Sequence, residues 1–376
     1  MTFRRCLWIL AVGMLALPSA HALFNLNQGK DLIFVSGTYT IGYDSNVFTR
    51  ASGKESTTQT ASLSIDYARQ AGLIGVTANL SATSGRFENT RGQNFNDPSL
   101  AVVFRKRYGR TTGALMMNAR RESQPDPDVG QRTQSWNYSA GLDLRYPVND
   151  RYYFTNSVRG SSRAYTGTSV FPNLRTYQDS LALNYVYSSK LDLNAGYSFV
   201  YSDGSSATKS YDQSFTFGAT GSILPKLSGT IRIGVQQRDR EARADGREKF
   251  SSFTSGTTLR WLLSRKVSFN FEFNDDYSTS ATDISVNRTT AGLHASFSIS
   301  NKYAGSAGFT YSQSDFLGLA GDGRHDELLQ FDASIGVALT TRIRTTFAYD
   351  YSINYSTLAS ADYDRHHLGF SLIASY

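Results

Sequence analysis

Nine arginines in this chain follow one positional rule. Arg105, Arg107, Arg120, Arg145, Arg159, Arg163, Arg232, Arg260 and Arg344 fall on the polar side of segments in which polar and apolar residues alternate. Asp66, Asp143, Asp192, Glu272, Asp276, Asp332 and Asp350 fall on the same side of their own segments. Successive side chains of a strand face opposite ways, so the rule gathers these charges on one wall. Two chemistries fit such a wall. Rings of basic side chains lining a pore favour anions. Alternatively, the carboxylates and guanidinium groups neutralise one another as cross-strand ion pairs. The sequence leaves both open.

Catalytic chemistry has little to stand on. There is no G-x-S-x-G, no H-E-x-x-H and no phosphate-cradling glycine loop. After residue 22 the histidines are His294, His325, His366 and His367. His294 shares the polar face with Thr290 and Ser296, and spacing assigns it no partner. His366 and His367 are adjacent, so on a strand they face opposite ways and cannot chelate together. Asp126 and Asp128 in QPDPDVG, and Asp322 and Asp326 in GDGRHDE, are candidate calcium contacts, but a full set of oxygen ligands is missing, so solvated loop acids are expected. Cys6 is the single cysteine. No cofactor, metal site or catalytic residue is predicted.

The elements that carry these charges are strands with one apolar face. In TRIRTTFAYDYSINYS, Thr341 to Ser356, Phe347, Tyr349, Tyr351 and Ile353 alternate with Arg344, Thr346, Asp350 and Asn354. Val267, Phe269, Phe271 and Phe273 alternate with Ser268, Asn270, Glu272 and Asn274. Leu191 to Tyr201, Trp136 to Tyr146 and Leu329 to Leu339 repeat the pattern, whereas Thr112–Arg120 and Arg151–Ala164 follow it poorly. The connections alternate as well. Short ones, such as 188–190, 224–226 and 301–302, take turns with longer polar ones, such as 45–58, 84–94, 121–132, 237–249 and 312–324. Short turns on one rim and longer loops on the other are the plan of an outer-membrane barrel. The expectation is an all-β, transmembrane, antiparallel up-and-down barrel of about eighteen strands, sixteen being the alternative. The charged stretch RDREARADGREK, Arg238 to Lys249, reads as a solvated outer loop near lipopolysaccharide, the alternative being a segment folded inward as a constriction.

Composition agrees. Mean hydropathy is −0.35 over 376 residues, with 23 Tyr, 23 Phe and only 7 Pro. After residue 22 no apolar run is long enough for a membrane helix. Residues 1–22 read as a Sec signal peptide: Arg4 and Arg5, an apolar stretch Leu7 to Leu17, then Ala20-His21-Ala22. That leaves 23–376 as the barrel, with no room for an N-terminal plug. Net charge is +7 for the whole chain, hence +5 without Arg4 and Arg5. The excess suits lipopolysaccharide or an acidic glycan and gives no sign of a nucleic-acid stripe. The chain ends HHLGFSLIASY, with Leu368, Phe370, Leu372, Ala374 and Tyr376 on one face. This resembles the terminal strand by which outer-membrane barrels are recognised for insertion.

GYDSNVF, Gly42 to Phe48, is similar to the opening of the putative β-barrel porin 2 group. The resemblance implies an outer-membrane barrel of a Gram-negative bacterium associated with exopolysaccharide synthesis and export. It implies no catalytic residues. The sequence thus predicts a porin-like passive conduit with a mildly basic bore, in contact with outer-membrane lipid and lipopolysaccharide. An acidic polysaccharide or periplasmic secretion proteins are the expected partners. The alternative is a structural or assembly barrel of a secretion complex that does not conduct.

Overall fold

Backbone amides and carbonyls in hydrocarbon must pair within the protein, and strands satisfy this only by closing into a ring. The computed structural model describes residues 24–376 except 28–29, 70, 167–170, 206–207, 243–245 and 319–322. The expected signal peptide therefore lies outside the described residues. Eighteen long strands form the wall. They are β2 (Asp31–Asp44), β3 (Ser56–Arg69), β4 (Ile74–Phe87), β5 (Phe95–Lys106), β6 (Thr112–Asp126), β7 (Gln131–Pro147), β8 (Tyr152–Tyr165), β9 (Leu174–Ser188) and β10 (Leu191–Gly204). The circuit continues with β11 (Lys209–Leu224), β12 (Leu227–Ala242), β13 (Gly246–Trp261), β14 (Val267–Thr279), β15 (Ser285–Ser298), β16 (Tyr303–Phe316), β17 (His325–Ala338), β18 (Ile343–Ser356) and β19 (Tyr363–Ser375). Each pairs antiparallel with the next, and β19 pairs with β2 to close the ring. A three-residue strand β1 (Phe24–Leu26) pairs with Asp31–Ile33 beyond the point where β19 ends.

The outer face is apolar and open. Phe217 and Phe253 are 67% and 73% exposed, a state that only a lipid surround makes favourable. Tyr146, Trp261 and Tyr303 stand outward near the short turns, and Tyr43 and Tyr355 near the longer loops. These two bands sit where Tyr and Trp prefer the headgroup level. On the inner face, hydroxyls bond across strands: Thr40 to Ser371 at 2.8 Å, Ser180 to Ser198 at 2.7 Å, Thr290 to Ser312 at 3.0 Å and Ser306 to Ser334 at 2.8 Å. The poorly alternating segments 112–120 and 151–164 are wall strands all the same, because both neighbours of each supply a complete ladder.

The long loops are shorter than the sequence suggests. RDREARADGREK is mostly strand, with β12 running to Ala242 and β13 starting at Gly246. Most of its described charges are bound across the ladder. Arg238 donates twice to Asp212 at 2.6 Å, Arg240 bonds Glu248 at 2.9 Å and Arg247 bonds Asp239 at 2.8 Å. Paired opposite charges stabilise strands beyond the membrane, so a hydrophilic stretch read as loop is a projecting hairpin.

The seam between first and last wall strands is fastened at both ends. At the turn end, Val35 and Tyr376 exchange backbone hydrogen bonds at 2.9 and 3.1 Å. At the loop end, Arg365 donates twice to Asp44, at 2.9 and 2.7 Å, and the Asp44 side chain is 3% exposed. Asn46 donates to the carbonyl of Asp364 at 3.2 Å, and His366 N–H donates to Ser45 Oγ at 2.8 Å. The stretch GYDSNVF is therefore the clasp of the ring. Breaking a buried ion pair leaves a charge uncompensated and costs about 3–5 kcal/mol. Asp44→Ala is expected to lower the temperature at which the folded band converts to the unfolded one in heat-modifiability gels, and Thr40→Ala far less.

Candidate functional site in the barrel lumen

The bore is where the polar parity collects. Arg105, Arg120, Arg145, Arg159, Arg163, Arg232, Arg260 and Arg344 lie on inward positions of β5, β6, β7, β8, β12, β13 and β18. Arg107 stands one residue past β5, in the turn, and still lines the cavity. Asp66, Asp143, Asp192, Glu272, Asp276, Asp332 and Asp350 are inward as well. Two of the arginines have ion-pair partners: Arg120 with Glu122 at 2.6 Å and Arg159 with Asp143 at 3.5 Å. Arg163 donates to Asn137 at 3.1 Å, and Arg145 lies 3.8 Å above the Tyr153 ring, whose hydroxyl donates to Asp192 at 2.6 Å. Among the described residues, Arg105, Arg107, Arg232, Arg260 and Arg344 have no carboxylate oxygen within 4.0 Å. A cavity of about 1080 Å³ takes in Arg105, Arg145 and Arg232 together with hydroxyls and amides such as Ser180, Asn194, Ser214 and Thr230.

Farther round the bore, β15, β17, β18 and β19 carry an acid and imidazole row. Asp332 and Asp350 are direct cross-strand partners. His367 Nδ1 lies 3.0 Å from Asp350, and His294 Nδ1 lies 3.6 Å from Asp332. Gly308 sits between β15 and β17 at this level, and a Cβ there would come within 2.2 Å of both His294 and Asp332. His294 is thus tethered to an acid, with no nucleophile in the contact. His366 faces outward, its ring tilted against that of Tyr351 at 4.7 Å, as adjacent parity requires. Among the described residues, no group of His, Cys, Asp and Glu is arranged to hold a metal ion.

At the outer mouth the structure departs from the sequence reading. The stretch that folds inward is QPDPDVG, at the tip of the β6–β7 hairpin, and its acids are not solvated. Arg288 on β15, nine strands on from β6 and so half the circuit away, donates to Asp128 at 3.3 Å. Arg324 donates to the Asp128 carbonyl at 2.7 Å and is itself gripped by Asp326. Asp322 lies outside the described residues. Gly130, with φ of 62°, closes the turn tightly enough that a Cβ would meet Arg50 at 3.2 Å. Behind this strap Phe87, Phe316 and Tyr363 are buried, and Arg132 lies over Phe87 at 4.7 Å. Inward aromatics, scarce elsewhere along the bore, form a small core at the mouth.

Sequence reasoning missed these mouth residues: Arg238, Arg288, Arg324 and Arg365. For Arg238 the signal was present, since it continues the parity of Arg232 and Gln236. For Arg288 and Arg324 it was not, because their partner comes from the far side of the ring.

An eighteen-strand closed wall with a wet bore, an apolar skin and short turns on one rim defines a porin-like outer-membrane β-barrel. The profile of the family described as Putative beta-barrel porin 2 matches residues 150–376, and the chain belongs to that family. No curated protein matches it by sequence. Among solved structures it resembles Pseudomonas aeruginosa OpdO, at 8% identity and TM-score 0.50, covering 95% of this chain and 98% of that one. It also resembles Pseudomonas aeruginosa OccK2 (OpdF), at 12% identity and TM-score 0.50, covering 91% and 98%. Pseudomonas aeruginosa OpdK, solved with vanillate, aligns at 10% identity and TM-score 0.49 over 92% and 99%. The likeness is one of fold. As a porin-family chain with a closed strand wall, the barrel resides in the outer membrane of a Gram-negative bacterium.

The hairpin tip carries a pH dependence. Burial, and then the neighbouring Asp128 charge, push the Asp126 carboxyl up to about 6. A carboxyl raised above its unfolded value favours the seated tip most when protonated. That contribution is complete below the ordinary carboxylate range and is lost as pH rises through 6. Single-channel conductance in planar bilayers is expected to be lower at pH 4.5 than at pH 7.5. In Asp126→Asn the difference should shrink. Arg288→Gln, which removes the tie to Asp128, should raise conductance or its fluctuation at either pH.

Proposed function

We propose that this protein is a passive, non-enzymatic conduit of the outer membrane with a preference for anions. Its cargo would be an acidic exopolysaccharide or a small acidic solute, and its surroundings lipopolysaccharide and the periplasmic machinery of polysaccharide secretion. The observation that carries this reading is the set of inward arginines that, among the described residues, have no carboxylate partner, Arg105, Arg232, Arg260 and Arg344, in a hydroxyl-lined bore. A charge held in a low-dielectric wall with no internal partner acts on whatever ion passes. The family and the closed wall agree with a channel, and the family resemblance is the source of the link to exopolysaccharide. His294, tethered to Asp332 with no nucleophile in that contact, supports no reaction.

A second reading, a structural barrel that anchors a secretion complex without conducting, draws on the strap across the mouth. Conductance separates the two. In a tenfold potassium chloride gradient, the reversal potential is expected to report chloride preference. The fourfold variant Arg105→Gln, Arg232→Gln, Arg260→Gln, Arg344→Gln should move it toward potassium by tens of millivolts, given that rings of basic residues set such preference. Cation preference in the unmodified barrel contradicts the anion reading, and absence of any current favours the anchor.

A further inference from the structure

Eight turns join strands at the periplasmic rim, and each carries or directly adjoins a lysine or arginine. In six of them the cation is the residue just before the next strand: Arg151, Lys190, Lys226, Lys266, Lys302 and Arg342. Most of these positions have a backbone task. The N–H of Lys190, Lys266 and Lys302 donates to Ser188, Ser264 and Ser300, each at 3.2 Å, and that of Arg342 to Thr340 at 3.1 Å. Arg151 does the same to Asn149 at 2.9 Å. Any residue with an amide proton fills that role. The turn therefore explains the serine, threonine or asparagine and leaves the positive charge unexplained. At Lys226 the backbone even sits at φ 73°, a region that favours glycine or asparagine.

Among the described residues none of these six cations has a carboxylate partner, and Arg342 lies 5.6 Å over the Tyr376 ring. Lys226 and Lys266 reach only the carbonyls of Leu263 and Ile299, each at 3.2 Å. Asp150 is the one acid in the eight turns. The one ion pair at this rim among the described residues joins Arg69 and Asp31 at 3.8 Å. The outer mouth differs: its loops mix signs, and Asp128, Asp326 and Asp44 are matched to arginines. The positive charge also continues inward, since Arg105, Arg145, Arg260 and Arg344 face the bore within two residues of strand ends at the periplasmic rim.

We infer that the periplasmic rim is a capture ring for a polyanion arriving from the periplasm, a carboxylate-bearing polysaccharide chain that is passed to the arginines just inside. The inference rests on the conduit reading and adds the side of entry and the residues that receive the chain. Like charges around an aperture with low-dielectric walls sum to a potential that concentrates counter-ions and speeds their arrival about 10- to 1,000-fold. A docked protein or a phospholipid headgroup would call for charge on the rim alone. The inward continuation fits a flexible chain that threads.

The test uses the full barrel in planar bilayers, inserted in known orientation, with polygalacturonate on one side at a time. At ~0.1 M salt, block from the short-turn side is expected to be at least about tenfold more frequent than from the loop side, and to fade as salt rises. The triple variant Lys190→Gln, Lys266→Gln, Lys302→Gln should lower that block rate about tenfold. Lys54→Gln with Arg91→Gln, in the outer loops, should leave it as it was. Equal block from both sides overturns the capture ring while conduction stands, and so does block indifferent to the triple variant. If no current flows, the conduit reading fails by itself. Retention on immobilised polygalacturonate, compared with neutral dextran, then still decides the ring: loss of retention in the triple variant supports it and no retention by the unmodified barrel overturns it. A triple variant that blocks normally but releases phosphatidylglycerol vesicles assigns the charge to lipid and also overturns it. Native heat-modifiable mobility confirms that each variant is folded.

Discussion

Everything in this molecule follows from the requirement that no strand be left with an unpaired edge in hydrocarbon. The requirement forces β19 to meet β2, and the chain spends some of its most specific side chains on that meeting. Asp44 and Arg365 form a doubly bonded, largely buried pair, and Asn46 and Ser45 tie the loop backbone to the partner strand. Once the ring is closed, alternation does the rest. Every second side chain is committed to lipid and its neighbour to water, so the composition of the bore is set by the same rule that makes the protein soluble in the membrane.

The bore is not uniform. Arginines that, among the described residues, have no carboxylate partner gather toward the rim of short turns, while Asp332, Asp350, His294 and His367 form a row of acids and imidazoles on β15 and β17 to β19. At the outer mouth, carboxylates and guanidinium groups are matched and buried among Phe87, Phe316 and Tyr363. Matched charges hold a shape, whereas unmatched ones act on a passing solute. The division places the structural chemistry at the top of the barrel and the chemistry available to solutes lower down.

How much of this was legible in sequence depends on the range of the interaction. The face on which Phe347 or Arg344 lies is a matter of parity between neighbours, and so are the even strand count and the sorting of turns from loops. The projecting β12–β13 hairpin was hidden because charge density reads as loop until the partner of each charge is known: Arg247 needs Asp239 across the same hairpin, and Arg238 needs Asp212, its direct partner on the preceding strand β11. The strap at the mouth was hidden more deeply, because Asp128 and Arg288 are 160 residues apart and meet only after the ring has closed. The lumen arginines occupy an intermediate position. Parity placed them inward, but whether each had a carboxylate neighbour depended on stagger between strands, which a single strand does not encode.

The N-terminal strand β1, pairing with Asp31–Ile33 beyond the end of β19, bears on how the molecule is made. The first and last strands of the wall are those that must zip together, and the entropic penalty of joining distant points of a chain favours local hairpins first. The ring therefore shuts late, with the edges of β2 and β19 unsatisfied until they meet, and the small overhanging strand covers the part of the β2 edge that β19 does not reach.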